Sequence, residues 1–272
     1  MILSFTSIVN SLKKRHPDVR VRICGGCGEV NRFTVSQKLR AAVRRTKAVS
    51  PQFEIEAVDY PLAPEAAFPA AVDSAVTAYR WLLKQPGMSE ARIALGGDSA
   101  GGGLALALVQ KLRFIQPVSL GSRIKGLALI SPWVDLSLSS ASVARNETTD
   151  IISPSVARSM VRFYLTGGAV GPEADAYLER VSAHPIVSAV RADMRGFPDM
   201  FVVGGGKELF HEDLIKFVNN AKSAGVNVET EFAEHMVHAY VHLEVRYRVS
   251  GFRISTRTVF SGKTPCGHHS RD

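Results

Sequence analysis

Leu95-Gly96-Gly97-Asp98-Ser99-Ala100-Gly101 is led in by the apolar Ile93-Ala94 and runs on into Gly102-Gly103-Leu104-Ala105-Leu106-Ala107-Leu108. The apolar lead reads as a strand and the trailing run as a buried helix, so the stretch is strand, tight turn, helix. Gly97 to Gly101 fits Gly-x-Ser-x-Gly. In that pattern a serine sits on a turn so sharp that the residues two positions away have no room for side chains. Ser99 would then point its hydroxyl beyond the strand, at the N-terminal end of the helix, where free N–H groups and positive partial charge suit a developing oxyanion. The alternative is a glycine-rich turn that merely buries a serine, and the rest of the chain has to decide between the two.

On the N-terminal side, Arg20-Val21-Arg22-Ile23-Cys24 alternates as a strand does and is followed by the loop Gly25-Gly26-Cys27-Gly28. Val35 to Thr46 has helical spacing, Phe53 to Val58 alternates as a second strand, and Pro61, Pro64 and Pro69 punctuate an extended connection. Ala70 to Lys84 reads as a helix with Val72, Ala75, Val76, Tyr79, Leu82 and Leu83 on one side. Beyond the helix that runs to about Phe114, Ile124 to Ile130 is a short apolar strand of the fully buried kind. The stretch 137–195 has no strand pattern: a helix at about Pro154 to Leu165 stands among irregular Gly/Pro-rich connections, and such an insertion is expected to form a cap. Met200 to Val203 is a strand, Leu209 to Ala224 a helix closed by Gly225 at C′, and Val226 to Phe232 a last alternating strand. Strands alternating with helices imply a mostly parallel sheet with helices on both faces, an α/β architecture.

The 272 residues suit one α/β domain. The net charge of +8 comes from basic residues gathered near the two ends, without the aromatic-interleaved basic motif of a nucleic-acid module, so a solvated basic surface and no nucleic-acid partner are expected. Three cysteines make no disulfide framework and fit reduced thiols in a cytoplasmic setting; the final Ser270-Arg271-Asp272 is no peroxisomal signal. A zinc site from Cys24, Cys27, Cys266 and His268 or His269 has the right residue types, but nothing in the sequence brings the two ends together. No apolar run approaches the roughly 20 residues of a transmembrane helix. Neither a metal nor an organic cofactor is implied, and the oligomeric state is left open, a homodimer being one option.

A nucleophilic serine needs a base, and the base needs an orienting carboxylate. The loop after Met200–Val203 offers Glu208, with Glu212 and Asp213 a turn later, and the loop after the last strand offers His235 and His238. Serine, acid, histidine is the chain order of the α/β-hydrolases. Further motifs point the same way: Val58-Asp59-Tyr60-Pro61-Leu62-Ala63-Pro64-Glu65, Phe68-Pro69-Ala70-Ala71, Ser131-Pro132-Trp133-Val134-Asp135-Leu136, Asn146 to Asp150 in an Asn-x-x-x-Asp segment, Gly205-Gly206-Lys207-Glu208-Leu209 and His235-Met236-Val237-His238. In these the chain resembles the hormone-sensitive-lipase-like (fold-3) carboxylesterases of the α/β-hydrolase fold, with the look of fungal members.

That resemblance implies Ser99 as nucleophile, His238 as base and Glu208, where the family usually has aspartate, as orienter. It implies an oxyanion hole from the N–H groups of Ala100, Gly25 and Gly26. The family's His-Gly-Gly-Gly is here Cys24-Gly25-Gly26-Cys27, and losing one oxyanion donor typically slows such a reaction by roughly 100- to 1000-fold. It implies an α/β-hydrolase domain over 1–240 with a cap insertion at about 137–195 and a divergent basic tail over 241–272. The first strands and the closing helix of the family are expected to be abbreviated or replaced. The function expected is hydrolysis of small to medium acyl esters, thioesters or lactones, by family analogy in secondary metabolism. A ligand-binding or catalytically weakened relative is the alternative.

Overall fold

The computed structural model describes residues 20–24, 55–115, 124–242, 246–249 and 252–255. Six strands, β1 (Arg20–Cys24), β2 (Ile55–Ala57), β3 (Ile93–Asp98), β4 (Gly126–Ile130), β5 (Met200–Gly205) and β6 (Val228–Ala233), form one sheet in the order β2-β1-β3-β4-β5-β6. Every neighbouring pair is parallel. β4 is buried throughout and β3 over all but its last residue, which is why both read as unbroken apolar or small-residue runs rather than alternating ones. β3 continues past the expected Leu95 through Gly96, Gly97 and Asp98, because those small residues pair with Ala128, Leu129 and Ile130 of β4.

The pleat sorts side chains onto two faces. Leu127, Leu129 and Val202 join a large core with α1 (Ala70–Leu83) and α2 (Ala100–Ile115). Ala128, Ile130 and Val203 turn the other way and meet Ala239, Tyr240 and Val241. α1 buries Val72, Ala75, Val76, Tyr79 and Leu82, a stripe at helical spacing. α2 packs closely because its first turn is glycine: a Cβ at Gly102 would stand 2.7 Å from the side chain of Pro132.

Between β4 and β5 lie α3 (Ala141–Arg145), α4 (Pro154–Thr166) and α5 (Pro172–Ser182). α4 is built by rule: Ser153 caps its N-terminus by accepting from Val156 N–H, Pro154 opens it, and Gly167 ends it at φ 64°. Ala157, Val161 and Leu165 bury its inner stripe in a second apolar cluster with Trp133, Leu136, Val143, Leu209 and Phe210. α5 and α3 correct the expectation of irregular connections there. α5 carries a faint signature, with Pro172 after Gly171 and Glu173 and Asp175 in its first turn. Tyr177, Leu178 and Val181 are only partly buried against the cluster, too weak a stripe to stand out in the sequence.

α6 (His211–Ser223) returns to the large core through Leu214, Phe217, Val218 and Ala221, and Gly225 follows its cap at φ 82° as expected of a C′ residue. β7 (Arg246–Val249) and β8 (Phe252–Ser255) pair antiparallel, within the stretch expected to be a divergent basic tail. The helix expected over 35–46, the loop 25–28, and Cys266, His268 and His269, considered for zinc with Cys24 and Cys27, lie outside the described residues.

Candidate active site

Ser99 occupies the one-residue gap between β3 and α2 with φ 50°, a left-handed conformation unfavourable for a side-chain-bearing residue. It persists because the surroundings hold the peptide on both sides. Ser99 N–H donates to Ile130 C=O at 2.9 Å, and Ser99 C=O accepts from Trp133 N–H at 2.9 Å and from Gly103 N–H at 3.1 Å. The flanking glycine is a steric requirement, since a Cβ at Gly97 would fall 2.3 Å from the Gly101 carbonyl group. Strand and helix backbones therefore pack in direct contact, as the Gly-x-Ser-x-Gly reading expected.

The Ser99 hydroxyl meets a histidine. His238 Nε2 is 2.8 Å from Ser99 Oγ, and His238 Nδ1 is 2.8 Å from Glu208 Oε2. Ser99, Glu208 and His238 are all buried. The other Glu208 oxygen, Oε1, accepts from Gly205 N–H at 2.6 Å and from Ser131 Oγ–H at 3.3 Å. The Ser131 and Gly205 groups thus donate to Glu208, and the carboxylate is left to accept from His238 as well. Nδ1 then carries the ring hydrogen, and Nε2 is the acceptor that faces the serine. The Phe210 ring stands edge-on to the imidazole at 5.4 Å and stacks on Trp133 at 4.9 Å, closing that flank with apolar surface.

Two tight turns place Glu208 and His238. Glycines end and follow β5 because the loop after β6 runs against them: a Cβ at Gly205 would lie 2.3 Å from Met236 O, and one at Gly206 2.2 Å from Glu234 O. Ser131, at φ 41°, touches both loops, donating to Glu208 and accepting from Ala239 N–H at 3.0 Å. Asn146 donates to Glu208 C=O at 2.8 Å.

The other acid and base candidates go elsewhere. His235 is exposed, three residues before the buried histidine. Glu212 pairs with Arg145, and Asp213 accepts from Ser140 Oγ–H at 2.9 Å. Burial, above all, pushes the Asp213 carboxyl up to about 6, aided by nearby Asp135 and Glu212 and opposed by the Ser140 bond and Lys216. Ala100 opens α2, so its N–H is among the four that a helix leaves without an intrahelical partner. Gly25 and Gly26 lie outside the described residues, but Cys24, just before them, is in register with Gly97 of the elbow. Ser131, Asn146 and Asp150, which the sequence shows only as members of motifs, also touch these loops.

Residues 33–242 match the model of a family described as alpha/beta hydrolase fold. The chain belongs to that family. Among curated relatives of this alpha/beta hydrolase, an acetyl-hydrolase of Streptomyces hygroscopicus is 36% identical over 68% of the chain, and an esterase of Acinetobacter venetianus 34% identical over 72%. The chain spans 56% and 60% of the length of those two relatives. A solved structure titled as a hormone-sensitive lipase from a metagenome library superposes with a TM-score of 0.66 at 31% identity, covering 82% of this chain and 70% of the other. The curated relatives named are bacterial, and the fungal likeness expected from the sequence gains no support from them. Among the described residues, no helix of this hydrolase-fold chain is long and apolar enough to cross a membrane.

Proposed function

We propose that this chain is a serine hydrolase of carboxylic esters, with Ser99 as nucleophile, His238 as general base and acid, and Glu208 as the carboxylate that orients the imidazole. The observation that carries the reading is the unbroken relay of two 2.8 Å contacts, from Ser99 Oγ to His238 Nε2 and from His238 Nδ1 to Glu208 Oε2. The names of the acetyl-hydrolase and esterase relatives support it.

In this reading Ser99 Oγ attacks the acyl carbon as Nε2 takes its proton, and the imidazolium that forms is held by the Glu208 carboxylate. The carbonyl π electrons move onto oxygen, giving an oxyanion. Collapse of the tetrahedral intermediate breaks the bond to the alcohol oxygen, which leaves with the proton from Nε2. Water repeats the sequence on the acyl-enzyme and releases the carboxylic acid. The Ala100 N–H, at the positive end of α2, serves as one oxyanion donor, with the N–H groups of Gly25 and Gly26 as the others. The level pairing of Cys24 with Gly97 favours that assignment, because the chain leaves β1 beside the elbow. Residues 137–195, with their own apolar cluster against Trp133 and Phe210, act as the cap that selects the acyl group.

Purified protein is tested with p-nitrophenyl esters of graded acyl length and with a fluorophosphonate probe. Hydrolysis of short or medium esters, with labelling that Ser99→Ala and His238→Ala abolish, is the expected result. A folded wild-type chain that neither hydrolyses nor labels overturns the proposal and leaves a ligand-binding protein.

A further inference from the structure

We propose that Asp150 is a positioning residue for this site, clasping the loop that carries the acid to the loop that carries the base; the inference rests on the reading of Ser99, Glu208 and His238 given above. Its carboxylate touches neither side chain of the relay. Asp150 Oδ2 accepts from Leu209 N–H, the peptide next to Glu208, at 2.7 Å. Asp150 Oδ1 accepts from the N–H of His238 itself at 2.9 Å, and from Ile151 N–H at 2.7 Å. One side chain, arriving between β4 and β5, thus ties together two loops that follow β5 and β6.

The clasp is itself held. Asp150 N–H donates to Asn146 C=O at 3.1 Å, and Asn146, buried, sends its amide to Glu208 C=O at 2.8 Å and toward Gly206 C=O at 3.4 Å. The spacing puts an acceptor-only group and a donor group one turn apart. The donor takes the carbonyls of the acid loop, and the acceptor takes N–H groups from both loops.

The chemistry calls for an aspartate at 150. Three N–H groups converge on two oxygens, and an ionised carboxylate is acceptor on both, with hydrogen bonds stronger than a neutral group would give. An asparagine presents one oxygen and one NH₂, so either the His238 or the Leu209 N–H faces another donor. Either way the tie between the loop of Glu208 and the loop of His238 is cut. A misplacement on the order of 1 Å in such a constellation slows the reaction by about 100-fold.

The test uses Asp150→Asn in the full chain, with p-nitrophenyl butyrate as substrate and the fluorophosphonate end-point as the count of competent sites. The expected result is kcat per labelled site lower by about 10- to 100-fold, KM within about threefold of wild type, and a parallel fall in the labelling rate. The His238 amide should exchange with deuterium at least about tenfold faster. A merely structural role lowers the melting temperature and the fraction of sites that label, but leaves kcat per labelled site alone. If the Asn variant does not fold, Asp150→Glu, which keeps the charge on a longer stem, carries the same measurements with a smaller expected loss. An active wild type whose folded variant keeps kcat per labelled site within twofold overturns this inference and spares the proposed function. A wild type without hydrolysis or labelling overturns both.

Discussion

Replacing Glu208 by glutamine tests the relay by its hydrogen count. The native carboxylate accepts on both oxygens, from His238 Nδ1 at 2.8 Å and from Gly205 N–H at 2.6 Å, with Ser131 Oγ–H adding to the second. Glutamine keeps the shape but offers one oxygen and one NH₂. The Gly205 N–H belongs to the backbone at the end of β5 and cannot turn away, so it claims the oxygen. The NH₂ then faces Nδ1, which has to become the acceptor, and the ring hydrogen moves to Nε2. A ring protonated there cannot take the Ser99 proton. The equivalent change in Ser-His-Asp enzymes lowers kcat by about 10⁴, or ~5.5 kcal/mol of barrier. Steady-state kinetics with a short p-nitrophenyl ester, alongside the labelling rate and thermal unfolding, reads this directly. The expected outcome is a folded protein with near-native unfolding temperature, kcat down by about 10⁴ and labelling slowed in step. Glu208→Ala leaves Gly205 N–H without its acceptor, so it should also unfold more easily, by ~1–3 kcal/mol. A folded Gln variant with kcat within tenfold of wild type would refute the tautomer argument.

Gly97→Ala puts a methyl group 2.3 Å from the Gly101 carbonyl, a backbone obstacle that cannot rotate away; it should lower stability by ~1–3 kcal/mol or more in urea unfolding and reduce phosphonate labelling, and an unchanged urea midpoint would sink the claim of strand–helix contact. Asp213→Asn isolates the buried carboxyl, whose pKa stands at about 6 against an ordinary 3.8. Because the folded chain holds that proton to higher pH than the unfolded chain does, its contribution favours folding below pH 4 and is lost as pH rises through 6. The Asn variant should therefore be more stable than wild type at pH 8 by at most ~2–3 kcal/mol and no more stable near pH 4; an equal difference at both pH values contradicts the assignment.

The elbow was legible because several constraints coincide in a few residues: no side chain at Gly97 or Gly101, a small polar residue at Ser99, an apolar strand before and a helix after. The buried strands were equally plain, since β4 and all of β3 but its last residue, Asp98, admit only apolar or small residues on either face. Spacing did not separate His235 from His238, as both follow the last strand; the family resemblance chose His238, and the fold brings that ring to Ser99. Ser131, Asn146 and Asp150 were invisible as members of the site because their partners there, mostly backbone groups, are far away in sequence, and a serine or aspartate in a loop carries no mark of its distant partner. α5 escaped for the opposite reason: its surface is largely polar, so neither a stripe nor a strong cap announced it.

Parallel pairing and late loops also set a timetable. Ser99 is made 139 residues before His238, and the histidine reaches it only after β6 has added to the sheet beside β5. At roughly 5–20 residues per second of synthesis, the serine waits about 7–28 s for that histidine. The partners that hold the elbow, Ile130 and Trp133, are made early in that interval, and the imidazole comes last. Under the proposed mechanism, chain order alone withholds ester cleavage until β6 is in place, and a product terminated before β6 would carry the motif without the histidine.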